Sequence, residues 1–223
     1  MSDTTDRSGF DWIAPIYDKL AGAVFGDALQ RARGHFLSHI RTGDQVLIIG
    51  GGTGWILPEV LNRVGEKGQI LYVEISAGMV QKSSQRILTH PNRDIVQFLQ
   101  GTVQAIPVSR KFDRIITHFF LDLFTEQELE EVFECVYQRL RTRGRWLIAD
   151  FAVPDNTWKL PSMLLLTIMY WFFRICCGIS GKRIQDFRAL FNKREMPLLD
   201  EQLFWKGLIT SRVYRREESA KDN

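Results

Sequence analysis

From Gln45 onward, short apolar runs alternate with segments whose apolar residues recur at helical spacing. That alternation leaves few solutions. Runs without polar alternation suit strands covered on both faces, and strands joined through helices must run parallel. Strands are expected at Gln45–Ile49, Ile70–Ile75, Ile95–Leu99, Arg114–His118 and Trp146–Phe151. Between the last two, Leu129, Val132, Phe133, Val136, Tyr137 and Leu140 form one helical face; Thr125 with Glu128 reads as a capping box and Gly144 as the stop. Further helices are expected at roughly Ile16–Ile40, Thr53–Val64, where Pro58 is a source of distortion, and Ser76–Leu88.

Beyond the fifth strand an apolar segment, Leu160–Ile179, is followed by an expected helix over Lys182–Phe191. Leu198–Phe204 and Leu208–Tyr214 then read as strands joined around Trp205, Lys206 and Gly207; so short a connection implies an antiparallel hairpin. The 223 residues suffice for one complete core, and no repeat or shift in composition marks a second. The expected organisation is a tail at 1–9, one domain at 10–215 with an insertion at about 155–192, and a polar tail at 216–223.

The net charge of +3 demands no nucleic-acid partner. Cys135, Cys176 and Cys177 lack metal-ligand spacing, and an odd count without a secretory signal suggests reduced thiols in the cytosol. No metal is expected. Leu160–Ile179 approaches the roughly 20 residues a bilayer needs but contains Pro161, Ser162, Thr167 and Arg174. A buried or lid helix, a surface-inserting helix and a membrane span all remain open for it; a lid over an apolar acceptor pocket, with peripheral membrane contact, is the reading adopted.

The chemistry concentrates where the first strand, Val46-Leu47-Ile48-Ile49, meets Gly50-Gly51-Gly52-Thr53-Gly54. Glycines there let the backbone turn sharply and approach a ligand, and the helix that follows offers unpaired N–H groups. A dinucleotide fingerprint starting at Gly50 needs glycine at position 55, where this chain has Trp55. The spacing that remains is G-x-G-x-G. Glu74 ends the second strand about 20 residues further on, where an acid can accept hydrogen bonds from both hydroxyls of a ribose.

In these motifs the chain resembles class I S-adenosylmethionine-dependent methyltransferases, the large group that includes ubiquinone and menaquinone C-methyltransferases. The similarity runs from Phe10-Asp11-Trp12-Ile13-Ala14-Pro15-Ile16-Tyr17-Asp18, through Gly101-Thr102-Val103-Gln104-Ala105-Ile106-Pro107 and Phe112-Asp113-Arg114-Ile115-Ile116, to Arg143-Gly144-Arg145-Trp146-Leu147-Ile148-Ala149-Asp150-Phe151. The resemblance implies a Rossmann-like α/β fold: a seven-stranded, mostly parallel sheet with an antiparallel C-terminal hairpin and helices on both faces. It implies S-adenosyl-L-methionine as cofactor, held by Tyr17, Gly50, Gly51, Gly52, Thr53, Gly54, Glu74, Ile75, Met79, Thr102, Val103 and His118.

Two departures stand out. Ile48 occupies a position where such proteins commonly carry an acid that organises the methionine end of the cofactor, and Thr102 one where an acid often follows the adenine-loop glycine. His118 is the candidate base if the acceptor must lose a proton, or else lines the cofactor pocket. Tyr17 covers the methionyl group, orients the acceptor, or simply packs. The expected acceptor is small and hydrophobic, in the quinone-like, aromatic or lipid-like range; location is expected to be cytoplasmic with peripheral membrane contact. An NAD(P)-dependent oxidoreductase and a non-catalytic or membrane-peripheral protein on the same fold are the rival readings.

Overall fold

The computed structural model describes residues 25–154 and 187–218. Seven strands form one sheet in the order β3-β2-β1-β4-β5-β7-β6: β1 (Gln45–Ile49), β2 (Gln69–Glu74), β3 (Val96–Gln100), β4 (Phe112–His118), β5 (Leu140–Phe151), β6 (Leu198–Phe204) and β7 (Ile209–Arg215). The first five pair in parallel, and β7 runs antiparallel to both β5 and β6. The expected fold is the observed one. Chain order reverses between β1 and β4, and that switch point is where open sheets of this kind bind ligands.

Five α-helices accompany the sheet among the described residues: α1 (Ala28–His35), α2 (Leu57–Val64), α3 (Ala77–Arg86), α4 (Glu126–Tyr137) and α5 (Arg188–Lys193). One apolar layer joins Val46, Ile48, Ile70 and Tyr72 of the sheet to Leu57, Val60, Leu61 and Val64 of α2. The other joins Leu47, Leu71, Ile115 and Trp146 to Leu129, Val132, Phe133 and Val136 of α4 and to Phe191. Alternate strand residues thus feed opposite layers, which is why the strands read as unbroken apolar runs. Trp146, fully buried, still satisfies its indole N–H by donating to Thr117 Oγ1 at 2.9 Å.

Most boundaries fall within two residues of expectation, and the larger departures have local causes. The segment Thr53–Ile56 is a turn rather than helix, and α2 begins at Leu57. Pro58 therefore lies in the first helical turn, where its missing N–H costs no bond and causes no distortion. α4 stops at Tyr137, and β5 already begins at Leu140. Leu140 pairs with Phe112 but Arg145 with Arg114, so Arg141–Gly144 form a bulge in which Arg143 has φ 63°. Gly144 is thus a bulge residue rather than a helix stop; a Cβ there would lie 2.7 Å from the Arg141 carbonyl oxygen. The helices expected over Ile16–Ile40 and Lys182–Phe191 are only partly within the described residues; α1 is shorter than the first, and α5 runs past Phe191 to Lys193.

Candidate active site

The glycine turn leaves β1 at the switch point. Gly50, Gly52 and Gly54 have φ of 62°, 60° and 75°, a left-handed conformation that side chains disfavour. Sterics add a second requirement. A Cβ on Gly51 would lie 2.4 Å from the Tyr72 ring, and one on Gly54 would lie 2.6 Å from Ser83 Cβ and 2.9 Å from its Cα on α3. Gly52 differs, since the nearest atom to a Cβ there is Met79 Sδ at 3.7 Å. A Cβ on Gly50 would likewise lie 2.5 Å from the Phe120 ring, so three of the glycines serve close packing, and Gly52 leaves open the side facing Met79.

Glu74, at the end of β2, joins this turn to the next loop. Its Oε2 accepts from the Gly52 N–H at 3.0 Å and its Oε1 from the Ser76 N–H at 3.1 Å. Tyr72, two residues earlier on the same face, donates its hydroxyl to the Gly52 carbonyl at 2.9 Å. The turn is thereby held from both sides, and the nearly buried Glu74 carboxylate is fixed in orientation. Burial and the nearby Glu74 push the Tyr72 phenol far above its ordinary pKa, so it remains a neutral donor.

Ile75 follows, half-buried, and Ser76 caps α3 by accepting from the Met79 N–H at 3.1 Å. That bond sets Met79, buried, beside the turn. Thr53 is buried as well, and its carbonyl accepts from Arg86 Nε at 2.9 Å. The Arg86 guanidinium also lies over the half-exposed Trp55 ring, 5.2 Å from its centre. After β3, Gly101 N–H donates to the Glu74 carbonyl at 3.0 Å, which brings the Thr102–Val103 loop beside the acid. Thr102 is exposed at this edge, and Val103 is buried as the first residue of a short 3-10 turn.

His118 closes β4 opposite Ala149 of β5. The ring is partly buried, and its Nδ1 has no hydrogen-bond partner among the described residues. Burial, with a smaller contribution from the positive charge of Arg33, pushes its pKa down to about 3. The imidazole is therefore neutral at physiological pH, able to accept a hydrogen bond and poorly able to retain a proton. Ile48, at the position of the missing acid, is buried in the apolar layer under α2.

The fold gathers Gly50–Gly54, Glu74, Ile75, Met79, Thr102, Val103 and His118 at the carboxyl ends of β1 to β4. Tyr17 and the segment Leu160–Ile179 lie outside the described residues. The sequence reading did not single out a second group, Asp122 after β4 and Asp150 on β5, both buried. Asp150 accepts from the Phe151 N–H at 2.9 Å. Burial and the adjacent Asp122, to which it is hydrogen-bonded, push the Asp150 carboxyl well above the usual carboxylate range. Nothing in spacing announces that pair, because β4 and β5 meet only through the sheet.

The residues present suit an adenosyl cofactor: a fixed carboxylate faces the glycine turn, an apolar loop lies beside it, and a sulfur side chain borders Gly52. Residues 46–144 match a family profile described as "Methyltransferase domain". A ubiquinone/menaquinone biosynthesis C-methyltransferase, UbiE, of Pseudomonas savastanoi pv. phaseolicola is 32% identical over 185 residues, covering 81% of this chain and 70% of its own. The UbiE of Hahella chejuensis is 30% identical over 151 residues, covering 66% of this chain; the match spans 59% of that relative's length. Among solved structures, the fold is similar to the Burkholderia thailandensis 1,6-didemethyltoxoflavin-N1-methyltransferase, with a TM-score of 0.66 at 14% identity over 95% of this chain and 88% of that one. Fold, glycine turn and relatives agree that the chain belongs to the class I S-adenosylmethionine-dependent methyltransferase family.

Proposed function

We propose that this protein transfers the methyl group of S-adenosylmethionine to a small apolar acceptor with a quinone-like or aromatic ring. The observation that carries the reading is the Glu74 carboxylate, held between the Gly52 and Ser76 N–H groups at the edge of the glycine turn. The acceptor class draws its support from relatives named as ubiquinone/menaquinone biosynthesis C-methyltransferases and from the apolar composition of Leu160–Ile179. No helix among the described residues is long and apolar enough to cross a membrane. We place the working protein in the cytoplasm, with peripheral membrane contact through 160–179.

When bound, the cofactor supplies an activated methyl group, so the chain has chiefly to bind, align and exclude water. Glu74 would accept from the ribose hydroxyls, and the backbone of Gly50–Gly54 would hold the amino-acid portion. Thr102 would accept from the adenine amino group, the Val103 N–H would meet the ring, and Ile75 and Met79 would cover its flanks. His118, neutral, lines the pocket and orients an acceptor by hydrogen bonding rather than by removing its proton. Tyr17, assigned by the resemblance alone, would cover the methionyl group or orient the acceptor.

The test is transfer of a tritiated methyl group from S-adenosylmethionine to a graded series of ring acceptors. Label should move into apolar quinols or hydroxyaryl compounds, and much less into hydrophilic amines of similar size. Label confined to polar amines contradicts the assigned acceptor class.

A further inference from the structure

At the edge of the sheet opposite the glycine turn, the amino ends of β4 and β5 and the end of α4 border an open groove of about 490 Å³. Lys111, Gln138, Leu140, Arg141, Thr142 and Arg216 line it, so three of its six residues are cations and none is an acid. Two of the cations are held by the end of α4. Lys111 Nζ donates to the Gln138 carbonyl at 2.7 Å, and Arg216 Nη1 donates to the carbonyls of Leu140 at 2.7 Å and Tyr137 at 3.3 Å. The Arg216 backbone is tied to the bulge of β5: the Arg143 N–H donates to its carbonyl at 2.8 Å, and its own N–H donates to the Gly144 carbonyl at 3.0 Å. Arg141 and Thr142 enter the groove from that bulge, where Arg143 is held at a strained φ of 63°.

Capping α4 explains where Lys111 and Arg216 sit but not their charge. A helix C-terminus carries about half an elementary negative charge, against two full positive ones here. Neither side chain forms an ion pair among the described residues, and the buried Arg216 Nε has no hydrogen-bond partner among them. Arg141 does have an acid: its Nη1 lies 2.8 Å from both oxygens of Asp113, which leaves the other N–H groups of its fork for a second anion. More positive charge lies behind the groove. Burial, and then the charges of Arg41 and Arg215, push the Arg145 guanidinium below its ordinary pKa, and its partner is His39 Nδ1 at 2.7 Å rather than an acid. Like charges crowded in this way repel one another, and a bound anion offsets that repulsion.

An ammonium, two guanidinium forks and a hydroxyl together suit an anion that offers oxygens in several directions. A tetrahedral phosphate does so, whereas a planar carboxylate fills one fork. We infer that this groove is a second ligand site, which binds a phosphate or diphosphate group through Lys111, Arg141, Thr142 and Arg216. The seven residues of β4 separate it from the glycine turn by roughly 20 Å, so the anion and an adenosyl ligand bind independently. A free phosphorylated solute and a phospholipid headgroup offer the same chemistry.

Two measurements on the full chain test the site: calorimetry with sodium diphosphate, with and without saturating S-adenosylhomocysteine, and sedimentation with phosphatidylcholine vesicles that contain or lack phosphatidic acid. Saturable diphosphate binding is expected, unchanged by S-adenosylhomocysteine. Lys111→Gln and Arg216→Gln should each weaken it by about 3- to 10-fold, between an exposed ion pair and a hydrogen bond to a charged group. Arg216→Gln also removes a cap of α4, so Lys111→Gln and Thr142→Val, both at exposed positions, keep the test open if that variant unfolds. Thr142→Val leaves the charge intact and should weaken binding by about twofold or more. Arg93→Gln removes the same charge ahead of the edge strand β3 and should leave the affinity within about 1.5-fold of the wild type. Sedimentation that needs phosphatidic acid and falls in the groove variants identifies a headgroup as the source; diphosphate binding without sedimentation identifies a free solute. Diphosphate binding that S-adenosylhomocysteine abolishes puts the anion at the glycine turn and overturns the inference. A wild type that takes up neither probe overturns it too, as does an affinity that the groove variants leave unchanged or that Arg93→Gln weakens equally.

Discussion

Glu74 has two tasks that a single substitution separates. It accepts from two backbone N–H groups, and in the function proposed above it also accepts from a ribose. Hydrogen bonds to a charged acceptor contribute about 1.5–3 kcal/mol each and do not add fully, so Glu74→Ala should weaken S-adenosylhomocysteine binding by roughly 2–4 kcal/mol. Calorimetry on the folded variant checks it, and an unaltered affinity removes Glu74 from the site. Asp150 calls for a different measurement. Its carboxyl is held above its ordinary value of 3.8 by burial and by Asp122. The folded protein therefore binds that proton more tightly than the unfolded chain does. The associated stability is fully present below the unfolded pKa and is lost as pH rises through the higher folded one. Asn cannot ionise, so Asp150→Asn should melt above the wild type at pH 8, with the advantage shrinking toward pH 4. A constant difference in melting temperature across that range denies that the pair holds a proton. Neither aspartate stood out in the sequence, since only the pairing of β4 with β5 brings them together.

At the scale of elements, most of the fold was legible. β1 falls where its apolar run predicts, and the Thr125–Glu128 capping box starts α4, with the Glu128 N–H donating to Thr125 Oγ1 and the Glu128 carboxylate accepting from the Thr125 N–H. The misreadings have local causes. Arg141–Gly144 combine basic residues and a glycine, the usual marks of a helix end, yet they form the bulge that lets β5 resume against β4. Thr53–Ile56 remains a turn because Gly54 must pass Ser83 of α3 before α2 can start. Gly54 carries both constraints at once, a φ of 75° and a contact that leaves no room for Cβ. Gly54→Ala should therefore destabilise the protein by about 1–3 kcal/mol, from the left-handed conformation and overpacking together. Urea unfolding measures it; a variant as stable as the wild type would mean that turn and helix shift freely.

For the molecule as a whole, strand order turns a list of motifs into a site. The reversal between β1 and β4 brings the glycine turn, Glu74, the Thr102–Val103 loop and His118 to one edge of the sheet. The spacing G-x-G-x-G followed by an acid made half of that edge readable beforehand. The other half, with Tyr72 beneath Gly52, depends on rings packing around the turn, which no sequence interval encodes. Every role assigned here depends on the identity of the molecule that fills this edge. Calorimetry of the wild-type chain with S-adenosylhomocysteine and with NADH tests that directly. A dissociation constant on the order of micromolar or tighter is expected for the adenosyl ligand, about −8 kcal/mol or stronger, with no heat from NADH; NADH bound and S-adenosylhomocysteine ignored would contradict the account.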